Sequence, residues 1–312
     1  MSIAFVFPGQ GSQHIGMLSG FFAENVVKEC YDEASDLLKM NMQELCLEGP
    51  DETINTTINT QPLLLTAGVA LWRLWQARGG PTPAYMAGHS LGEYTALVCS
   101  GALTFTDALQ LVRNRGRYMQ MAMGTEKGSM AAILGLGFDE VSNICAEASA
   151  TSYVYPANVN SPKQIVISGY ERGVEEASSL AKEQGAKRVV SLPVSIPSHC
   201  ALMQPAATQL SDDLISIEFK DKQIPVVHNL DGKPATTDAE IKDKLVQQLV
   251  KSVQWITSIE FMVSQKVTTI IECGPKKVLS SLNRSIDSSL ELLSLGEDVA
   301  LFDENLNKCL SE

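Results

Sequence analysis

The segment Gly88-His89-Ser90-Leu91-Gly92 constrains the fold of this chain more than any other. It has the G-x-S-x-G pattern of a sharp turn between a strand and a helix, with a serine at the apex. Glycine suits the positions two before and two after the serine because the turn is too tight for side chains there. Residues 84–87 suit a short buried strand, and residues 91–100 have helical spacing. The segment predicts a nucleophile elbow, although a glycine-rich turn without any chemistry has the same pattern.

A nucleophilic serine needs a base, and the chain has only four histidines. His199 lies in a loop that enters a predicted helix, and such loops at strand ends are where α/β folds hold catalytic groups. His228 lies in a strand-like run, which favours a structural role or a place at the rim of a site. Position therefore favours His199 as the base. The other two histidines are His14 and His89.

The N-terminus carries a second signal. Residues 3–7 are an apolar run that suits a central parallel strand, and the glycine-rich stretch at residues 8–13 follows at once. Such a loop can present main-chain N–H groups to an anion. A nucleotide-phosphate loop is the alternative, but the chain has no G-x-x-x-x-G-K-[ST] pattern.

Charge, hydropathy and cysteine content argue against several classes of partner and location. The formal net charge of -12 disfavours nucleic acid as a partner. No apolar run is long enough for a membrane span, and the N-terminus lacks the layout of a signal peptide. Seven cysteines without CxxC spacing indicate the reducing cytoplasm and no metal site. Cys200 beside His199 leaves a thiol mechanism open, although most free cysteines are buried structural residues.

The pattern of predicted elements indicates an α/β fold of two parts. Residues 128–196 read as strand, helix, two strands, helix and strand, which is the βαββαβ pattern of a ferredoxin-like subdomain. This subdomain interrupts a large α/β-hydrolase-like domain, residues 1–127 and 197–312, whose alternating strands and helices favour a mostly parallel sheet. We expect the active site in the cleft between the two parts.

Three segments together resemble the malonyl-CoA:acyl carrier protein transacylases of bacterial fatty-acid synthesis. They are residues 7–13, 88–94 and 197–199. The resemblance runs in order from residue 1 to about residue 285 and includes residues 113–116, 157–162, 247–249 and 272–275.

The resemblance implies a role for five residues. Ser90 would take the malonyl group as an ester, and His199 would be the general base. The main-chain carbonyl of Gln248 would orient the histidine, where other serine enzymes use a carboxylate. The N–H groups of Gln10 and Leu91 would form the oxyanion hole, and elbow geometry independently points to Leu91.

The resemblance also implies contacts with the acyl group. Arg115 would bind the malonyl carboxylate, because a guanidinium offers two parallel hydrogen bonds to a carboxylate. From spacing alone, Arg115 could instead share a solvated basic face with Arg113 and Arg117. Asn160 and His89 are further candidates for substrate binding.

The expected partners are acyl carrier protein and a coenzyme A thioester. Acyl carrier proteins are acidic, as this chain is, so docking would need a local basic patch. Lys187 and Arg188 are the candidates that we favour, and the pair Lys276-Lys277 and the single Arg284 are alternatives. All of them could equally be solvated surface charges. We expect a cytoplasmic monomer that has no tightly bound cofactor, no metal, and no nucleic-acid or membrane partner.

The predicted activity is ping-pong transfer of a malonyl group from malonyl-CoA to the phosphopantetheine thiol of acyl carrier protein. A serine hydrolase shares the elbow but gives Arg115 no task. A non-catalytic module that binds carrier proteins leaves Ser90 and His199 unexplained. Substituted malonyl groups, and a polyketide instead of a fatty-acid pathway, stay open.

Overall fold

The computed structural model describes residues 2–220 and 223–311. Contacts divide the chain into two compact units. The first unit comprises Met1–Gly116, Ile217–His228 and Phe261–Glu312, and the second comprises Arg117–Ser216 and Asn229–Glu260. Both units are mixed α/β.

The bounds of the elements are as follows. The strands are β1 (Ile3–Phe7), β2 (Tyr85–Gly88), β3 (Gly128–Leu134), β4 (Val154–Ser161), β5 (Gln164–Tyr170), β6 (Arg188–Ser191), β7 (Val226–Val227), β8 (Thr269–Glu272) and β9 (Glu291–Ser294). The helices are α1 (Asn25–Leu38), α2 (Met42–Glu48), α3 (Asp51–Ile54), α4 (Thr57–Ala77), α5 (Gly92–Cys99), α6 (Phe105–Ala122), α7 (Phe138–Ala148), α8 (Glu171–Glu183), α9 (Gln204–Ile215), α10 (Asp238–Val250), α11 (Trp255–Ser264), α12 (Val278–Ile286) and α13 (Val299–Leu310).

The first unit is built on a parallel sheet with the strand order β7-β2-β1-β8-β9. Every residue of β1 and β8 is buried, as expected for central strands of a parallel sheet that is covered on both faces. In the register of β1 and β2, Phe7 pairs with Gly88. The loop after β1 and the turn after β2 therefore leave the sheet side by side, at its carboxyl edge.

Helix α4 is the long apolar helix of the first unit. Its residues are buried almost continuously from Thr60 to Trp75, so it has no broad solvent-facing side. It packs against α1 and α5. Because α4 is buried all round, any polar side chain on it must find its hydrogen-bond partners within the protein.

The second unit contains a separate antiparallel sheet with the strand order β4-β5-β3-β6. In chain order its elements are β3, α7, β4, β5, α8 and β6. The apolar sides of α7 and α8 pack on this sheet and share one core with it, which includes Ile133, Ile144 and Ile165.

The second unit is wider than residues 128–196. Val253 donates to the carbonyl of Ala157 and accepts from the N–H of Val159, both at 2.9 Å. Through these bonds a short segment around Val253 lies parallel to β4, although the two are distant in the sequence. Helices α9 and α10 pack against each other in the same unit. The segment around Val253 is joined to β4 by main-chain hydrogen bonds, which nearly every residue type can form. The sequence therefore has no pattern that predicts this pairing.

None of the helices in the described ranges is long and apolar enough to cross a membrane.

Candidate active site

The turn at Ser90 joins β2 to α5, which is the strand-turn-helix arrangement that the motif predicts. Ser90 has a φ of 52°, in the left-handed region that residues other than glycine rarely adopt. A Cβ atom on Gly88 would lie 1.9 Å from the carbonyl carbon of Gly92, and one on Gly92 would lie 2.0 Å from the oxygen of Phe7. The two glycines are therefore required because main-chain atoms occupy the space of a side chain.

The loop after β1 lies against this turn. The N–H of His89 donates to the carbonyl of Phe7 at 2.9 Å, and a Cβ atom on Gly9 would lie 2.6 Å from the oxygen of His89. The buried Ser12 hydroxyl donates to the carbonyl of Gly9 at 2.9 Å and closes the loop on itself. Gln10, whose side chain is exposed, thus follows directly on a residue that contacts the turn.

Arg115 on α6 is completely buried. Its Nη2 donates to the Oγ of Ser90 at 3.2 Å, and its Nη1 donates to the Oε1 of Gln61 at 2.9 Å. The guanidinium carbon also lies 5.5 Å from the centre of the Tyr94 ring, a cation–π contact. Burial lowers the pKa of Arg115, and the nearby Tyr94 and Glu93 side chains oppose that effect.

The neighbouring arginines have different surroundings. Arg117 is exposed, and the partly exposed Arg113 donates to the carbonyl of Leu38 at 3.1 Å. Arg115 therefore does not belong to a solvated basic face, and that alternative is wrong for this residue. Gly116 helps to bury it, because a Cβ atom there would lie 2.9 Å from the Cα of Ile58 on α4. The missing side chain lets α6 approach α4.

His228 and Glu93 form a buried polar pair. Both side chains have no exposed surface, and the Nδ1 of His228 lies 2.7 Å from the Oε1 of Glu93. Glu93 is in the first turn of α5, and His228 follows β7 directly. The pair links the helix after the turn to the edge strand of the parallel sheet, in agreement with a structural role for His228.

In the second unit, His199 is buried and has a φ of 63°. Its Nδ1 lies 2.7 Å from the main-chain oxygen of Gln248 on α10. A carbonyl oxygen only accepts, so Nδ1 carries a proton, and in the neutral form of the ring the lone pair lies on Nε2. The side chain of Gln248 is itself held, since its Nε2 donates to the Oδ1 of Asn229 at 3.3 Å.

Cys200, next to His199, is buried. Its thiol donates to the carbonyl of Pro197 at 3.1 Å, and burial raises its pKa to about 11. A thiol with so high a pKa stays protonated near neutral pH, so Cys200 lacks the thiolate that a cysteine nucleophile needs.

The remaining predicted residues lie in both units. His89 is partly buried beside Ser90, and Asn160 is buried on β4. Lys187 and Arg188 are exposed at the start of β6. The first unit therefore brings Ser90 and Arg115 together, and the second brings His199 and Gln248 together. In the part of the chain that the structure describes, no three His, Cys, Asp or Glu side chains cluster as metal ligands.

Sequence reasoning missed Gln61 and the Glu93–His228 pair. Gln61 has no distinct signal in the sequence, because Asn59 and Thr60 precede it and the apolar run begins only after Pro62. Glu93 follows the elbow in a stretch that reads as a buried helix, where a carboxylate needs a partner.

Comparison with known proteins gives a consistent result. The model of the acyl transferase domain matches residues 4–292. The chain is 49% identical over 299 residues to the malonyl CoA-acyl carrier protein transacylase of Salmonella typhimurium, covering 96% of this chain and 97% of the relative. It is 43% identical over 297 residues to the Bacillus subtilis protein of the same name, covering 95% and 93% of the two chains.

Solved structures agree with these relatives. The malonyl CoA-acyl carrier protein transacylase of Coxiella burnetii superposes with a TM-score of 0.97 at 44% identity, covering 99% of this chain and 98% of the other. A malonyl-transacylase in complex with a type II PKS acyl-carrier protein also gives 0.97 at 44% identity, covering 99% and 100%. The resemblance drawn from the motifs is confirmed, and the chain belongs to the acyl transferase family, among the malonyl CoA-acyl carrier protein transacylases.

Proposed function

We propose that this chain transfers the malonyl group of malonyl-CoA to the phosphopantetheine thiol of acyl carrier protein and so supplies fatty-acid chain elongation. The observation that carries this proposal is the buried Arg115, whose Nη2 lies 3.2 Å from the Oγ of Ser90. A desolvated cation beside the nucleophile suits an acyl group that ends in a carboxylate. The names of the relatives support the same substrates.

The proposed reaction is ping-pong acyl transfer. The Nε2 of His199 takes the hydroxyl proton of Ser90, and the Oγ attacks the thioester carbonyl carbon. The tetrahedral intermediate collapses, the C–S bond breaks, and coenzyme A leaves with the proton from His199. The phosphopantetheine thiol then attacks the malonyl ester by the reverse steps. The bond from Nδ1 to Gln248 supports this assignment, because it leaves the Nε2 lone pair for the proton.

The N–H groups of Gln10 and Leu91 are the proposed oxyanion donors. Across residues 2–220 and 223–311, neither N–H donates a hydrogen bond to another group. Two main-chain donors that meet the developing negative charge lower the barrier, and loss of one typically costs about 10²–10³ in rate.

Arg115 has a second proposed task. Its guanidinium holds the malonyl carboxylate by two hydrogen bonds, so that the ester is poorly placed for attack by water. His89 and Asn160 are proposed as further contacts for the acyl group.

The strand order of the antiparallel sheet supports a ferredoxin-like subdomain at residues 128–196, within a hydrolase-like domain of residues 1–127 and 197–312.

Lys187 and Arg188 are the proposed docking cations for the acidic carrier protein and the coenzyme A phosphates. Seven free cysteines support a reducing, cytoplasmic site of action. The proposed form is a monomer without a resident cofactor.

The test is the intact mass of the purified protein after brief mixing with malonyl-CoA, and again after acyl carrier protein is added. We expect a malonyl adduct on Ser90 that moves to the carrier thiol. Arg115→Ala should lower malonyl loading and improve the relative loading of uncharged acyl groups. Arg117→Ala, which removes an exposed arginine from the same helix, is the matched control and should behave as the wild type.

Three outcomes would contradict the proposal. An adduct that decays at once to free malonate, without an acceptor, indicates a hydrolase. Absence of any adduct, with carrier-protein binding that survives Ser90→Ala, indicates a binding module. Full malonyl transfer by Arg115→Ala, with no gain on uncharged acyl groups, removes the assignment of Arg115.

A further inference from the structure

Gln61 is a buried amide on α4, next to the buried Thr60. It lies near the start of α4 and has no exposed surface. Its Oε1 accepts from the Nη1 of Arg115 at 2.9 Å, and its Nε2 donates to the Oε1 of Gln10 at 3.3 Å. One side chain therefore contacts both the buried cation and the loop after β1.

The direction of these hydrogen bonds is fixed by chemistry. A guanidinium can only donate, so Gln61 must present its oxygen to Arg115 and turn its NH₂ group toward Gln10. Gln10 then uses its own oxygen to accept, and its Nε2 donates to the Oγ1 of Thr57 at 3.4 Å. The hydrogen bonds therefore all run in one direction, with Arg115 donating to Gln61, and Gln61 to Gln10. The positive charge of Arg115 polarises each amide in this series.

Each end of this chain of hydrogen bonds restrains a different group. At one end, Nη1 is tied to Gln61 while Nη2 lies 3.2 Å from the Oγ of Ser90, so the plane of the guanidinium is set relative to the nucleophile. At the other end, the exposed side chain of Gln10 is tied to α4 through Gln61 and Thr57. These two bonds restrain the main chain of Gln10 beside the turn at Ser90.

We propose that Gln61 is a positioning residue that sets the preference for acyl groups with a terminal carboxylate and couples Arg115 to the loop at Gln10. This inference rests on the proposed malonyl transfer. Two of the hydrogen bonds of Gln61 go to Arg115 and Gln10. Gln61 orients the guanidinium of Arg115 toward the carboxylate. It also holds the loop after β1, which contains the N–H of Gln10, a proposed oxyanion donor.

The experiment compares two variants of Gln61 with a control on the same helix. Gln61→Leu has a similar size but cannot accept from Arg115, and Gln61→Glu keeps the shape but pairs with the guanidinium permanently. The control is Thr66→Val, which removes a buried side-chain hydrogen bond of 2.8 Å to Pro62 without touching the site. Single-turnover acylation with malonyl-CoA and with acetyl-CoA is followed by intact mass.

We expect the ratio of malonyl to acetyl acylation rates to fall about tenfold or more in both Gln61 variants, because a hydrogen bond to a charged group is lost or redirected. The KM for malonyl-CoA should rise, and the rate with acetyl-CoA should fall less. Thr66→Val should keep the wild-type ratio. Gln61→Glu preserves the shape of the side chain, so it carries the test if Gln61→Leu does not fold.

A double-mutant cycle separates positioning from a merely structural role. In an Arg115→Ala background, Gln61→Leu should no longer change the malonyl-to-acetyl ratio, because the effect acts through Arg115. An unchanged ratio in both single variants, or an equal change with and without Arg115, would overturn the inference. A wild-type protein that forms no malonyl adduct would instead refute the proposed function.

Discussion

Ser90 and His199 share a left-handed backbone conformation, with φ angles of 52° and 63°, but the two units hold them there by different means. Around Ser90, main-chain atoms of Gly92 and Phe7 occupy the places that Cβ atoms on Gly88 and Gly92 would take. Around His199, the restraint is a buried hydrogen bond to the carbonyl of a residue 49 positions later.

This comparison separates a local restraint from a long-range one. A non-glycine residue in the left-handed region costs about 1–2 kcal/mol, so its surroundings must impose it. In the first unit the glycines of the motif permit the close packing, and Phe7 on the neighbouring strand β1 supplies part of it. In the second unit the restraint comes through a carbonyl, which every residue has. Variants can break either restraint and show how much each contributes.

The largest expected effect is the loss of the two proposed reacting groups. Ser90→Ala should form no acyl-enzyme, because the attacking oxygen is gone. His199→Ala should slow acylation by about 10²–10⁴, the usual contribution of a general base. Single-turnover intact mass measures both rates, and circular dichroism checks that both variants fold. An acylation rate for His199→Ala close to that of the wild type would show that another group takes the proton.

The next largest effect should come from filling the space inside the elbow. Gly92→Ala places a Cβ atom 2.0 Å from a main-chain oxygen, and we expect a loss of about 3 kcal/mol in the free energy of unfolding. The matched control is Gly101→Ala, where φ is 82° but no atom lies within 4 Å. Strain alone should cost roughly 1–2 kcal/mol there. Equal losses in urea unfolding would mean that close packing is not the cause.

A smaller effect is expected at Gln248, where a variant tests whether the main-chain carbonyl or the side chain supports His199. Gln248→Ala keeps the carbonyl that His199 contacts, so acylation should stay within about threefold, less than about 1 kcal/mol in the barrier. The variant loses the side-chain bond to Asn229, and the free energy of unfolding should fall by about 1 kcal/mol. A hundredfold loss of rate, with little change in stability, would assign the role to the side chain instead of the carbonyl.

The smallest effect is expected at Cys200. Burial raises its pKa to about 11, so the neutral thiol persists to higher pH than for a free cysteine. Alkylation by iodoacetamide at pH 8 should therefore be slow in the folded protein and fast in urea. Cys200→Ala should keep acyl-enzyme formation. Rapid alkylation of the native protein that also abolishes acylation would reopen the thiol mechanism.

The parts of the site that the residues predicted without the family resemblance are mainly those with a steric signature. A tight turn excludes side chains, so Gly88 and Gly92 mark the elbow, and the apolar run of β1 marks a buried parallel strand. Gln61 and the His228–Glu93 pair left no comparable trace. Their roles depend on their contact partners, which are distant in the chain. Gln61 and Arg115 are 54 residues apart, and Glu93 and His228 are 135 residues apart.

The sequence by itself determined the elbow, the α/β class and the family, because each of these depends on residue types at short or ordered spacings. Only the tertiary structure decided that Arg115 is buried beside Ser90, that Gln61 joins it to Gln10, and that residues near Val253 run along β4. Helix packing and side-chain hydrogen bonds produce the first two arrangements, and main-chain hydrogen bonds produce the third. All of them join segments that are distant in the chain, so their outcome depends on how the whole chain packs.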